Sequence, residues 1–178
     1  MLVLPSTPLL AAFAGASLVL ALTPGPAVVY IVARTLAQGR ARGLASVIGV
    51  AFGNLANALG AALGLAALFS VSSAAFTVVK WAGAAYLVYL GVRMWLAVPS
   101  SGADAMAAAP RQPQAVARVL RDGFVVALLN PKTTLFFAAF LPQFIDAGAH
   151  PLQQTLALGA VFVAIAGCTD VLYVLTAS

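Results

Sequence analysis

Thr23-Pro24-Gly25-Pro26 breaks the first long apolar run of this chain near its middle. A second apolar run is broken in a similar way by Leu129-Asn130-Pro131-Lys132. Proline lacks an N–H and clashes with the preceding turn of a helix. Within a bilayer no water satisfies the backbone groups that such a break releases, so breaks are tolerated where protein or a cavity surrounds them. Paired breaks in the two halves of a membrane protein indicate a transport site.

The composition places the whole chain in a membrane. Of its 178 residues, 63% are hydrophobic and only 7% are charged, whereas a soluble domain is about 25% charged. The net charge of +5 does not indicate nucleic-acid binding, because the basic residues cluster between apolar runs, as in membrane topology. The sequence therefore predicts an all-α, polytopic membrane helix bundle, whose first partner is the lipid bilayer.

A membrane-spanning helix needs about 20 mostly apolar residues. Five such spans are predicted, at about Pro8–Ala33, Gly43–Phe69, Phe76–Ala97, Gly123–Phe144 and Leu152–Thr176. Residues 98–121 are rich in Pro, Ala, Ser and Arg and predict a linker with a short helix near its end. The chain thus divides into a first half of three spans, 1–97, the linker 98–121, and a second half, 122–178.

Basic residues predict the orientation. The connection after the first span holds Arg34, Arg40 and Arg42, and the end of the third span together with the linker holds Arg93, Arg111, Arg118 and Arg121. The two other connections, 71–75 and 145–151, contain no Lys or Arg. The basic side is therefore expected to be cytoplasmic, with the N-terminus outside an inner (plasma) membrane. The second half would then be an inverted copy of the first that lacks its last helix; a true five-helix protein is the alternative.

The first break offers partners for both ends of an amino acid. Its two prolines leave the carbonyls of Leu20 and Leu22 without helical donors, and these carbonyls can accept from an ammonium. Gly25 permits backbone angles that other residues avoid. Thr23 is expected to cap the following half-helix, whose N–H groups can hold a carboxylate. The alternative is a structural kink that neighbouring helices satisfy.

The second break repeats this pattern and adds a charge. Pro131 frees the carbonyl of Ala127, and Asn130 is a good helix cap. Lys132 lies well inside a span, where an ionisable residue costs about 2.5–3.5 kcal/mol, so it should face a cavity or a partner. Asp170 is the acidic residue within another predicted span. We expect both to line one polar interior, with Asp170 as the candidate for proton coupling; a static ion pair is the alternative.

Small residues follow one face of the second span at helical spacing: Gly49, Gly53, Asn57, Gly60 and Gly64. Such faces allow helices to approach closely, so packing is the default interpretation. Asn54 and Asn57 need hydrogen-bond partners in an apolar span. Asn57 either reaches the transport pathway or bonds a neighbouring helix.

Enzyme chemistry finds no support in the residue pattern. His150 is the single histidine, Cys168 is the single cysteine, and glutamate is absent. No carboxylate pair, metal-ligand cluster or nucleophile–base pair is visible, so no metal and no cofactor are predicted.

Four stretches of the chain resemble the LysE/RhtB family of amino-acid exporters. Leu22–Ala27 and Ala37–Gly43 look like its start, Lys80–Gly91 is similar to its third segment, and Phe124–Asp146 is similar to its fourth. The resemblance implies six helices in a somewhat longer chain and export of amino acids or close derivatives, with proton-driven antiport as the usual proposal. Asp170 corresponds to an acidic position usual in the fifth segment.

The sequence thus predicts an exporter whose substrate binds at mid-depth between the two broken helices. A neutral amino acid is favoured over a basic one as that substrate. The predicted substrate residues are Thr23, Pro24, Gly25, Pro26, Asn57, Asn130, Pro131 and Lys132, and protons are the coupling partner at Asp170. A homo-oligomer is left open. The alternative function is a non-transporting membrane assembly or scaffold protein that uses the glycine-rich helix face.

Overall fold

A computed structural model of the chain describes residues 5–71, 78, 81, 114–145 and 150–178. The described residues form helices and contain no strand, which confirms the all-α class. Apart from Val78 and Trp81, which are helical, the predicted third span lies outside the described residues, as do residues 98–113 of the predicted linker. The division into two halves around that linker stays a prediction.

The described residues contain six α-helices: α1 (Thr7–Leu22), α2 (Pro26–Gln38), α3 (Arg40–Val71), α4 (Val116–Leu128), α5 (Pro131–Leu135) and α6 (Pro151–Thr176). A π-helical turn, Phe136–Phe140, and a 3-10 turn, Leu141–Phe144, continue α5. Within this part of the chain two single helices are long and apolar enough to cross a membrane, α3 over Arg40–Gly64 and α6. The pairs α1–α2 and α4–α5 with its two turns also qualify, bent by 50° and 47° at their breaks.

These four units correspond to four of the five predicted spans, with different ends. The first was expected to end near Ala33 with Arg34 in a loop, but α2 continues to Gln38 and Arg34 is only 6% exposed. The helix ends instead at Gly39, whose φ of 81° is a left-handed conformation that glycine adopts without steric cost. At the other end, α4 begins at Val116, so the predicted short helix near the end of the linker is the start of the fourth span.

The two broken helices pack side by side in opposite directions. Phe13, before the first break, contacts Phe136 and Phe144, which follow the second break, with ring centroids 5.6 and 5.4 Å apart. Arg34, after the first break, pairs with Asp122, before the second break, at 3.9 Å. Since the early part of each helix lies beside the late part of the other, the chain runs antiparallel through the pair and the two breaks meet between these contacts.

Arg34 belongs to a polar network that joins α2 to α4 at one end of the bundle. Its guanidinium donates to Gln114 at 2.8 Å and lies 5.1 Å from the ring centroid of Tyr30. The Tyr30 hydroxyl donates to the carbonyl of Val119 at 3.0 Å. This network brings together the connection after the first span and the start of the fourth, the two segments that the charge pattern places on one side.

Aromatic side chains fill the core at the other end. Phe13, Phe136, Phe137 and Phe162 are each at most 3% exposed, and they come from α1, the π-helical turn and α6. Phe137 meets Phe162 edge to face, with centroids 4.9 Å apart. Such pairs contribute about 0.5–1.5 kcal/mol beyond their buried area, so this cluster fixes α6 against both broken helices.

Part of the glycine face brings α3 close to α4. A Cβ placed on Gly53 would lie 2.5 Å from the carbonyl oxygen of Phe124, and one on Gly123 would lie 2.9 Å from that of Ser46. Among the described residues nothing lies within 4 Å of a Cβ built on Gly60 or Gly64. The predicted packing role therefore holds for the first part of the stripe.

The opposite side of α3 exposes large apolar side chains. Ile48, Phe52, Leu55, Leu59 and Leu63 are between 39% and 68% exposed. A soluble protein rarely leaves such a row of side chains in water. The chain is a membrane-spanning protein, and in a bilayer this row faces lipid or another helix.

Replacement of Gly53 by alanine should destabilise the bundle, because the added methyl group would meet backbone atoms that cannot rotate away. We expect a loss of about 1–3 kcal/mol in the free energy of unfolding, measured as a lower melting temperature in detergent. Gly60→Ala on the same helix is the control and should be neutral or slightly stabilising, since alanine favours helices. Equal melting temperatures for the two variants would contradict the close approach of α3 and α4.

Candidate functional site

The first break separates α1 from α2 by three residues, and Thr23 belongs to its first side. The Thr23 hydroxyl donates to the carbonyl of Val19 at 2.7 Å, within α1. The N-cap of α2 is Gly25, which makes no side-chain cap. The expectation that Thr23 caps α2 was therefore wrong, because Pro26 occupies the first helical position and sets the helix start three residues after Thr23.

Gly25 serves a different purpose from the one predicted. Its backbone is extended, with φ of −146° and ψ of −176°, a conformation that any residue adopts. A Cβ at this position would lie 3.3 Å from Cδ and 3.7 Å from Nζ of Lys132. Glycine therefore leaves room for the lysine side chain, which crosses the break from α5.

Side chains from distant elements satisfy the carbonyls that the first break frees. The Lys132 ammonium donates to the carbonyl of Leu20 at 2.5 Å and also to that of Thr23. The Tyr173 hydroxyl, on α6, donates to the carbonyl of Leu22 at 2.9 Å. Leu20 and Leu22 are the two carbonyls that the prolines were expected to free, and both now have partners from the second part of the chain.

The second break follows the same rule. The Asn130 side chain accepts from the N–H of Lys132 at 3.1 Å and caps α5, as its position predicted. The carbonyl of Ala127, freed by Pro131, accepts from Nδ2 of Asn57 at 3.0 Å. Asn57 was expected either to reach the transport pathway or to bond a neighbouring helix, and in the structure it bonds a neighbouring helix.

A cavity of about 40 Å³ lies between the two breaks. Its polar lining consists of Asn54, Asn130, Lys132, Thr133 and Asp170, and its apolar lining includes Leu20, Val28, Val50 and Phe162. A buried water needs about 10–15 Å³ of such volume, so this conformation has room for a few waters.

Four of the nine predicted site residues line this cavity: Gly25, Asn130, Lys132 and Asp170. Thr23 takes part through its carbonyl, and Asn57 lies outside the lining. Pro24, Pro26 and Pro131 also lie outside the lining and are exposed on the broken helices. Their effect on the site is to open the backbone.

Lys132 and Asp170 share the cavity without a direct ion pair. Asp170 is 5% exposed, and within the described part of the chain its carboxyl group has no cation within 4.0 Å and no hydrogen bond. The two charges are near enough to interact electrostatically. Because the ammonium is held on the carbonyls of α1, the cavity presents a carboxyl group and a lysine as separate groups.

Asn54 is the site residue that the prediction did not single out. Its side chain is 4% exposed and lines the cavity, and its Oδ1 has no hydrogen-bond partner among the described residues. A buried amide normally finds a partner, and an orphan calls for an explanation. The sequence showed only that an amide lies in an apolar span. It did not show whether Asn54 or Asn57, three residues away, lines the cavity.

Metal chemistry finds no support in this region. The described residues contain no group of three or more His, Cys, Asp or Glu side chains that could hold a metal ion. The polar groups at the cavity are instead those that recognise charged and hydrogen-bonding organic molecules.

In the described part of the chain, four units are long and apolar enough to cross a membrane and two of them are broken at one polar cavity, which defines a polytopic membrane protein built around a pair of interrupted helices. The sequence pattern of the LysE type translocator family matches residues 18–178. The chain therefore belongs to the LysE type translocator family.

Relatives of the chain carry export functions in their names. A homoserine/homoserine lactone efflux protein of Salmonella typhimurium is 34% identical over 149 residues, which cover 84% of this chain and 70% of that protein. A leucine efflux protein of Klebsiella pneumoniae is 33% identical over 128 residues, which cover 72% of this chain and 59% of that protein. An uncharacterized membrane protein of Vibrio cholerae is 34% identical over 149 residues, covering 84% of this chain and 71% of its own length. No solved structure matches the chain.

Alanine substitutions of Asn54 and Asn57 should affect stability differently. Asn57→Ala leaves the carbonyl of Ala127 without its side-chain donor and should cost about 1–3 kcal/mol of unfolding free energy. Asn54→Ala removes no hydrogen bond that the structure shows, and its Oδ1 already lacks a partner, so it should cost less than Asn57→Ala. Melting temperatures of the purified variants in detergent make the comparison. A larger loss for Asn54→Ala would contradict the assigned contacts.

Proposed function

We propose that this protein exports amino acids or close derivatives across the inner membrane through the cavity between its two breaks. The observation that carries the proposal is the pair of opposite charges, Lys132 and Asp170, that line one buried cavity without forming an ion pair. Ionisable groups at such depth usually mark a substrate or ion pathway. The export functions named for two relatives support the same conclusion.

The lining fits a small zwitterion. A carboxylate finds a cation in Lys132, and an ammonium finds acceptors in Asp170 and in the carbonyls of the first break. The apolar part of the wall, with Val28, Val50 and Phe162, would receive an uncharged side chain. Asn54 adds an amide that can bond the amino group or a side-chain hydroxyl. This lining favours neutral amino acids, such as leucine or homoserine.

Transport requires a conformational change, because the present cavity holds only a few waters. Broken helices that meet at one depth allow the two halves of a transporter to rock around a fixed site. In this proposal the basic end of the bundle is cytoplasmic and the N-terminus is outside.

Asp170 is the coupling residue in this proposal. A carboxyl group in a cavity can be neutralised either by a proton or by the ammonium of the substrate, but not by both at once. Alternation of these two partners on opposite sides of the membrane would exchange an outgoing amino acid for an incoming proton. The role is that of a transporter rather than an enzyme, and a scaffold protein would have no need of a lysine and a carboxyl group that share one cavity without forming an ion pair.

Asp170→Asn should abolish export that is driven by a pH gradient while leaving substrate exchange measurable, since the amide keeps the shape of the carboxyl group but cannot release a proton. Export of labelled leucine and homoserine from loaded cells, and counterflow in vesicles, give the two readouts. Asp122→Asn is the matched control, since Asp122 lies in the middle of α4, pairs with Arg34 and is outside the cavity. If Asp170→Asn leaves pH-driven export intact, the coupling role is wrong.

Asn54→Ala should raise the KM for export about fivefold or more, because loss of one hydrogen bond in a buried site costs about 0.5–1.5 kcal/mol or more. Its maximal rate should change less. Asn57→Ala, matched in chemistry, should leave the KM within about twofold of the wild-type value. The opposite ranking of the two KM values would place the substrate at Asn57 rather than at Asn54.

A further inference from the structure

The Lys132 side chain occupies a position that resembles a bound ligand. Its ammonium donates to two main-chain carbonyls, those of Leu20 and Thr23, which belong to the other broken helix. Neither contact is local, since the bonded residues are 112 and 109 positions apart in the chain. Pro24 has no N–H to donate to the carbonyl of Leu20, which keeps only a 3.2 Å bond from the Thr23 N–H, and the helix ends before the carbonyl of Thr23. The protein has thus placed a primary ammonium on an acceptor pair inside its cavity.

The amino group of an amino acid is the same chemical group. A primary ammonium on a substrate would make the same charge-assisted bonds to the same carbonyls. We propose that the carbonyl pair of Leu20 and Thr23 is the site in the cavity that binds the ammonium group of the substrate. In this structure Lys132 occupies that site, and the lysine leaves it when the substrate amino group binds. This inference rests on the proposed function, since it assigns one part of the same substrate site.

The exchange keeps the carbonyls and the lysine paired. In this structure the carbonyls have the lysine. When a zwitterion enters, its ammonium takes the carbonyls and its carboxylate receives the released lysine, which already lines the cavity. A compound with an ammonium alone would leave the displaced lysine without a carboxylate from the ligand. A compound with a carboxylate alone would have to draw the lysine away and leave the carbonyls orphaned, at a cost in the bilayer.

The absence of a side chain at Gly25 lets the Lys132 side chain reach the two carbonyls. The side chain crosses the break directly beside its Cα, so that a Cβ would come within 3.3 Å of Cδ of Lys132. Contacts of this kind are tight, and the flexible lysine would have to shift. Alanine at position 25 therefore perturbs the lysine without removing its charge, and the extended backbone of Gly25 accommodates alanine.

The test uses the purified full chain in detergent and two probes of similar size, n-butylammonium and butyrate, with affinities from calorimetric titration. In Lys132→Met the competitor of the ammonium probe is absent, so this probe should bind about tenfold more tightly than to wild type. Butyrate loses its cation and should bind at least about tenfold more weakly. Unchanged or weaker butylammonium binding in Lys132→Met overturns the exchange.

Gly25→Ala gives a second test that does not depend on how well Lys132→Met folds. It should tighten butylammonium binding by about threefold, because the displaced lysine competes less well, while butyrate binding is kept. Gly15→Ala, on α1 with nothing described within 4 Å of its Cβ, is the control and should match wild type. Equal butylammonium affinities for Gly25→Ala and Gly15→Ala contradict the inference.

The same measurements separate this inference from the proposed function. Opposite shifts of the two probes in a protein that exports no labelled amino acid would uphold the ammonium site and overturn the exporter proposal. Normal export combined with unchanged probe affinities in both variants would uphold the exporter and overturn the lysine exchange.

Discussion

A carbonyl that loses its helical donor to proline must find another donor when no water is within reach. This chain has three such carbonyls at its breaks, on Leu20, Leu22 and Ala127. Their side-chain donors come from three different elements: Lys132 at the start of α5, Tyr173 on α6 and Asn57 on α3. The carbonyls of Leu20 and Ala127 otherwise keep only 3.2 Å bonds from nearby backbone N–H groups. Every break is therefore also a tie between helices, and the interruption that weakens one helix specifies how the bundle assembles around it.

This constraint explains why the two broken helices lie together. The ammonium of Lys132 reaches the carbonyls of α1 only if the breaks meet, and the contacts on either side of them, Phe13 with Phe136 and Arg34 with Asp122, then require opposite chain directions. The close approach of α3 to α4 at Gly53 brings Asn57 within reach of the carbonyl of Ala127. The close packing at Gly53 and the hydrogen bond to the carbonyl of Ala127 thus require the same placement of α3 beside α4.

The sequence identified the acceptors but not all of their donors, for a physical reason. Which carbonyl a proline frees follows from a local rule, four residues back along the helix. Donors depend on tertiary packing: Lys132 was expected in the cavity but not on α1, and Tyr173 gave no signal at all. The errors at Thr23 and Gly25 have one origin. Local propensity predicted a helix cap at Thr23 and an unusual backbone at Gly25. The position of Pro26 excludes the cap, and the Lys132 side chain that passes Gly25 explains the glycine.

The two breaks are unlike, and the difference carries the functional argument. The first contributes acceptors and no charge, while the second contributes the lysine that covers those acceptors. On the exporter proposal, the carbonyls and the lysine of the site are then already paired, whereas Asp170 has no cation within contact distance in the described part of the chain. A ligand that brings both an ammonium and a carboxylate can replace the lysine on the carbonyls and supply the lysine with a new partner. Selection for a zwitterion would thus follow from the need to keep backbone carbonyls and one lysine satisfied in a medium without water.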